Sequence, residues 1–247
     1  MKQTASFTSI PAVNLCSKKL GEQNARSHPC YRAVQLPQRQ FAGHILARLG
    51  AEVIAVEPPG GVTTRHLGPF VGDERDSELS LTHWAYNRGK QSLTLDIEPV
   101  EGQERFRSLL TDADILFEDR HPGYLQSLGL SYEALSEINP ALIHASVTPY
   151  GLTGPRSHWK GTDLTAVAGS SFMQASGDAD RAPLRIAVPH SFLHASADAA
   201  AASLIALQER SRSGIGQHID VSAQESVTIG FPQNVAPMEN ALAADRM

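Results

Sequence analysis

The stretch 185–203, RIAVPHSFLHASADAAAAS, puts His190 and His194 four residues apart at the mouth of an alanine-rich helix. Residues 183–188 read as a short apolar strand, so the pair falls at a strand-to-helix junction, where α/β proteins keep reactive groups. Four-residue spacing sets two imidazoles on one helix face, as a metal site needs. No glutamate stands between them, however, and no third ligand follows. Helix-cap or surface histidines explain the pattern as simply. Phe192 lies between them, an apolar ring where a carboxylate or hydroxyl would be expected, and Asp198 lies nearly two turns further along.

Other chemistries leave weaker traces. Glu57 closes the second apolar run, where a ribose-binding acid often sits. The turn before it, LPQRQFAG, lacks the G-x-G-x-x-G that lets backbone approach a pyrophosphate, which argues against nicotinamide binding. No G-x-S-x-G occurs, and AGSSF at 168–172 is a faint echo inside a predicted helix. Cys16 and Cys30 are too few for a disulfide framework or a zinc site, and as incidental thiols they fit a reducing, cytoplasmic setting.

These residues need elements to hold them. Residues 1–30 are polar and aperiodic and read as a loose leader. Strands are expected at 31–36, 52–57, 92–97, 114–118, 141–148, 183–188 and 217–222. Helices are expected between them: one ending at Gly50, one entered through Pro99, one capped by Ser131, one over 163–174, and a long one ending at Gly214. Residues 60–89, rich in Gly, Pro, Asp and Arg, read as a long loop. Strand and helix alternate, and the strands are apolar runs. The fold class is therefore α/β: a Rossmann-like, largely parallel sheet with helices on both faces. A domain over 31–230 is expected, followed by a tail over 231–247.

The 247 residues carry a net charge of −5, with no basic surplus to neutralise phosphates along a duplex. No apolar run has the length of a membrane span, and the N-terminus has no sustained apolar core. Nucleic acid and membrane are thus disfavoured as partners.

In order along the chain stand LGAEVIAVEPPGG, YNRGKQSLTLDIEPVEGQERFRSLL, ADILFEDRHPGYLQSLGLSYEALSEINPALIHASVTPYGLTGP, KGTDLTAVAGSSF and RSGIGQHIDVS. In this order and spacing the chain closely resembles the family III CoA-transferases, the CaiB/BaiF group, from about Tyr31 to Val227. The resemblance implies exchange of coenzyme A between an acyl-CoA thioester and a carboxylic acid, with CoA as substrate and no metal. It implies an aspartate that attacks the thioester carbonyl to give a mixed anhydride and CoA thiolate. It also implies a homodimer, or a heteromer of unlike subunits. Family members are longer, so the resemblance implies that a small second domain and a returning segment are missing here.

Carried over residue by residue, the CoA groove implied by the resemblance comprises Glu57, Pro58, Leu95, Asp96, Asp119, Arg120, His121, Lys160 and Gly161. EDRHPG stands where the family usually has Glu-Asn-Phe-x-Pro-Gly, and Pro58 and Ser127 replace basic residues found in some relatives. The same carry-over places the nucleophilic aspartate at Phe192, which cannot form an anhydride. Asp163, His190 and His194 remain as catalytic candidates. A racemase-like alternative needs an acid/base on each face of the α-carbon, and its histidine position falls on Thr162. A non-catalytic subunit, an inactive fragment, and a CoA- or partner-binding scaffold module are the further expectations.

Overall fold

Short apolar runs become strands here because helices cover them on both sides. The computed structural model describes residues 32–35, 41–176 and 180–231. The expected leader over 1–30, with Cys16 and Cys30, and all of the expected tail over 231–247 except Phe231 lie outside the described residues. β5 (Ile143–Thr148) is buried at every position, and β4 (Ile115–Glu118) at its first three. With β1 (Arg32–Gln35), β2 (Glu52–Glu57), β3 (Gln91–Thr94) and β6 (His218–Ser222) they form one fully parallel sheet in the order β3-β2-β1-β4-β5-β6. The strand order reverses between β1 and β4. A doubly wound sheet of this kind places its ligand crevice at the carboxyl ends of the strands on either side of that point.

Alternate side chains sort onto the two faces. Ile115, Phe117, Ile143, Ala145 and Val147 pack in one core with Leu46 of α1 (Phe41–Arg48) and the alanines of α7 (His190–Ser213). Leu116 faces the other way, into a core with Phe106 and Leu110 of α3 (Val100–Leu110), Leu125 of α4 (Tyr124–Ser127) and Leu135 of α5 (Tyr132–Ile138). Short polar side chains cap several of the helices, at Ser80, Ser131, Thr162 and Ser222. Ser131 accepts from Ala134 N, and α7 ends at Gly214 in the left-handed conformation. Gly216 must be glycine, because a Cβ there would stand 2.0 Å from the Leu142 carbonyl oxygen.

Four expectations need correction. Residues 183–188 form no strand. The neighbouring edge of β5 is already taken by β6, and Leu184 and Val188 stay 61% and 47% exposed. The apolar alternation there pairs with no strand of the sheet. Residues 60–89 are not a continuous loop: they contain a 3-10 turn at Thr63–His66 and α2 (Leu81–Asn87), whose N-cap Ser80 accepts from His83 N. β3 stops at Thr94 because Asp96 turns the chain by accepting from Glu98 N at 3.0 Å. α6 (Asp163–Gly169) ends before Ser171, which has φ 67° and cannot continue a right-handed helix. The last helix, α8, spans Ala223–Gly230.

Candidate functional site

Three chain segments meet at the carboxyl ends of β2, β3 and β4. β2 delivers Val56 and Pro58, the turn after β3 delivers Leu95 and Asp96, and the loop after β4 delivers Arg120, with Tyr124 behind it. They enclose a hollow of about 180 Å³. Four residues expected in the CoA groove, Pro58, Leu95, Asp96 and Arg120, are thus brought to one place. The Arg120 guanidinium lies 5.1 Å from the centre of the Tyr124 ring, and its buried Nε has no hydrogen-bond partner. Tyr124 donates its hydroxyl to Glu98 Oε1 at 2.5 Å; burial and that bond push its pKa up to about 12. His121 sits outside the hollow, exposed, with Nδ1 2.9 Å from the Pro122 carbonyl.

Glu57 does not line the hollow. It is 2% exposed and gripped by Arg65, Nε to Oε2 at 2.6 Å and Nη2 to Oε1 at 2.9 Å, while Ser92 Oγ donates to Oε1. Burial alone would raise its pKa. The hydrogen bonds from Arg65 and Ser92, with the Arg65 charge, outweigh burial and hold it below the ordinary value. Glu57 therefore fixes the loop after β2 in place. Asp119 is likewise buried and acts electrostatically on Lys90, which donates to Asn87 Oδ1 at 2.9 Å.

Burial lowers the Lys90 pKa to about 7, against the opposing pull of Asp119 and Glu57. Between that value and the unfolded pKa the unfolded chain binds the extra proton, so this group makes the fold more stable as pH rises. Lys90→Met should flatten the rise in urea midpoint between about pH 7 and 10. An unchanged slope would show that the amine is not what titrates there.

A second, larger cavity of about 740 Å³ opens beneath the first turns of α7. Phe192, 9% exposed, stands on its wall and joins the core behind. Asp163, at the start of α6, also reaches this wall, but its Oδ1 accepts from Ser191 N and Ser191 Oγ, both at 2.8 Å. It thereby caps the first turn of α7 from a different helix. His190 and His194 are not brought to the cavity lining. Two residues along a helix is a rotation of about 200°, so they face away from Phe192. There their ring centres lie 4.3 Å apart at a 55° tilt, with His190 stacked on Phe172 and His194 tilted against Phe231. Burial, then the neighbouring His194, lowers the His190 pKa, while Asp163 pulls it up.

The remaining expected groove residues stand apart. Lys160 is exposed and lines neither hollow. Gly161 packs so tightly on Pro149 that a Cβ would meet the proline Cβ at 2.3 Å. Thr162 is the N-cap of α6, in a capping box with Thr165. Among the described residues no group of three His, Cys, Asp or Glu side chains is arranged to hold a metal.

The structure adds a polar cleft of about 450 Å³ that sequence reasoning missed, between Arg65 and Arg88 with Glu78, His83, Trp84 and Asn87. His83 Nδ1 lies 2.9 Å from Thr64 Oγ1 and 3.2 Å from Asn87 Nδ2. The amide can only donate, so Nδ1 accepts and the ring proton belongs on Nε2. Burial and Arg65 lower its pKa. The available signal was the density of Arg, His and Asn across 65–88, which read as loop polarity.

A fully parallel sheet in this order, with a hollow at the ends of β2, β3 and β4, defines a doubly wound α/β protein. Within that class the chain belongs to CoA-transferase family III, whose profile matches residues 35–243. The subunit BbsE of succinyl-CoA:(R)-benzylsuccinate CoA-transferase from Thauera aromatica is 42% identical over 187 residues, 75% of this chain and 45% of that protein. Acetyl-CoA:oxalate CoA-transferase from Acetobacter aceti is 39% identical over 196 residues, 78% of this chain and 49% of that protein. A crystal structure of a CaiB/BaiF family protein from Brucella suis superposes with a TM-score of 0.79 at 35% identity, covering 87% of this chain and 57% of that one. The chain spans about half the length, or less, of the curated relatives it matches.

Proposed function

We propose that this chain binds a CoA thioester within a CoA-transferase that moves coenzyme A between an acyl-CoA and a carboxylic acid. One observation carries the reading: Pro58, Leu95, Asp96 and Arg120 converge on one hollow at the crevice, with the Arg120 Nε left for an incoming acceptor. Leu95 and the Pro58 ring offer apolar surface to a base, and Arg120 offers charge to phosphate oxygens. Lys160, exposed on the loop before α6, supplies a further cation to the anionic cofactor.

Transfer needs a carboxylate that attacks the thioester carbon, expels CoA thiolate and is itself acylated. At the position where the family resemblance puts that group, this chain has Phe192. Asp163 is engaged in capping α7. The chain thus serves as a binding subunit, and the nucleophile comes from a partner that bears the aspartate. The relative from Thauera aromatica, itself named a subunit, is in keeping with assembly from unlike chains. The racemase-like reading has less support, since Thr162 is spent on a helix cap. A cytoplasmic setting rests on the scarcity of cysteine. No helix among the described residues is long and apolar enough to cross a membrane.

Titration calorimetry with CoA tests the binding. Saturable binding is expected, weakened about tenfold by Arg120→Ala, the scale of one lost charged hydrogen bond. Lys160→Ala is expected to weaken it less, because an exposed lysine is well screened. The chain alone should show no transfer, and mixing with an Asp-bearing homologue should restore it. Absence of CoA binding by the folded chain, or turnover by the chain alone, would overturn the proposal.

A further inference from the structure

We infer that the cavity beneath α7 receives the acyl group and favours one with a bulky hydrocarbon body, aromatic or branched, over a small dicarboxylic one. The inference rests on the CoA-thioester reading above. At about 740 Å³ the cavity falls in the size range of sites that enclose drug-sized ligands, and a four-carbon acyl group would leave most of it empty. Its walls are largely apolar. Phe41 comes from α1, Leu81 and Tyr86 from α2, Val188 from the segment leading into α7, and Phe192 and Leu193 from the first turn of α7. Phe41 and Tyr86 meet edge to face at 6.1 Å, a geometry that a ligand ring could extend.

The polar atoms on these walls are mostly spoken for by the protein itself. Thr82 Oγ1 donates to the Gly68 carbonyl at 2.8 Å, and Thr64 Oγ1 donates to His83 Nδ1 at 2.9 Å. Asp163 accepts twice from Ser191. A second carboxylate on the acyl group would lose its water here and meet the Asp163 carboxylate, and both effects oppose binding.

Ser196 is the exception. It lines the cavity and is 1% exposed, yet its hydroxyl has no partner. Serines inside helices usually donate back to the carbonyl four residues earlier. Ser203, on the same helix, does so to Ala199 O at 2.7 Å. An unmet buried hydroxyl on an apolar wall is a lone fixed donor for a ligand oxygen, and it sets the orientation of a ligand held otherwise by its hydrocarbon surface.

The test uses the full chain and four probes: 3-phenylpropanoyl-CoA, succinyl-CoA, and the free acids 3-phenylpropanoate and succinate. The phenyl thioester should bind at least about tenfold tighter than succinyl-CoA, the discrimination one buried ring supplies through its apolar area. The free acids should rank the same way. Ala85→Phe, which fills the cavity, should abolish the preference. Ser196→Ala should weaken the phenyl thioester by about three- to tenfold, the range of one hydrogen bond, without lowering the unfolding midpoint. A purely structural serine would instead lower that midpoint and leave the ranking alone.

Succinyl-CoA binding as tightly as the phenyl thioester, or a preference that survives Ala85→Phe, would overturn the inference. Failure of CoA itself to bind, with 3-phenylpropanoate still preferred, would sink the CoA reading and uphold the cavity assignment. CoA binding without any preference for the aromatic acid would do the reverse.

Discussion

Arg65→Ala should cost the fold about 3–5 kcal/mol, read as a lower urea midpoint at neutral pH, because it leaves a buried charge without its partner. Glu57 has only 3% of its side-chain surface in water, and Arg65 holds both carboxylate oxygens. In the variant Ser92 Oγ would remain as a donor to that carboxylate. The pH dependence identifies the cause. In the native protein the Glu57 pKa is depressed, so its contribution is present above the unfolded pKa of about 4.3 and is lost as pH falls through the folded value. In the variant, burial without the guanidinium raises that pKa, and protonation then relieves the penalty. The two stability curves should converge as pH drops through about 4. A deficit that stays constant from pH 7 to pH 3 would mean that lost packing, and not the unpaired carboxylate, is responsible. Glu57→Gln combined with Arg65→Met should recover part of the loss, since it removes both charges together.

Gly102→Ala should damage stability and CoA binding together. Intrinsic propensity points the other way: alanine is favoured over glycine inside a helix by about 1 kcal/mol. Sterics decide the sign. A Cβ at residue 102 would lie 1.7 Å from the Asp96 carbonyl oxygen, where ordinary contact begins at 3.4 Å. That oxygen belongs to backbone and cannot rotate aside. Either α3 or the Asp96–Ile97 segment must move by more than an ångström. Overpacking of this kind typically costs about 1–3 kcal/mol. The segment that must yield forms one wall of the hollow with Pro58 and Arg120, so CoA affinity should fall at least about tenfold, as misplaced binding groups generally demand. Calorimetry on the folded variant checks this. Native CoA affinity in a destabilised Gly102→Ala protein would show that the wall is not part of the site.

Much of the fold was legible in the sequence. Runs such as EVIAVE and DILFE carry consecutive apolar residues, and a parallel strand covered on both faces makes use of such a run. Polar punctuation such as Ser131 and Gly214 marked helix ends, since a cap works through its immediate backbone neighbours. The same locality failed at 183–188. That segment looks like a strand, but a strand needs a partner, and β6, from 30 residues further along, holds the edge.

The candidate site divides along the same line. The family resemblance singled out Pro58, Leu95, Asp96 and Arg120, and the fold brings them together because each lies at or just after a strand end and a parallel sheet gathers such ends on one edge. Sequence likewise made His190 and His194 neighbours, and helix periodicity already set them away from Phe192. Whether Glu57 met ligand or arginine was decided only in three dimensions, by the 3-10 turn that swings Arg65 back onto it. The same holds for Asp163, claimed by the first turn of a helix that begins 27 residues later, and for Ser196, whose missing partner no local pattern records. Periodicity and turn chemistry act between near neighbours and so are written in the chain. Which polar group is satisfied, and which is left for a ligand, depends on segments distant in sequence, and only the packed structure brings them together.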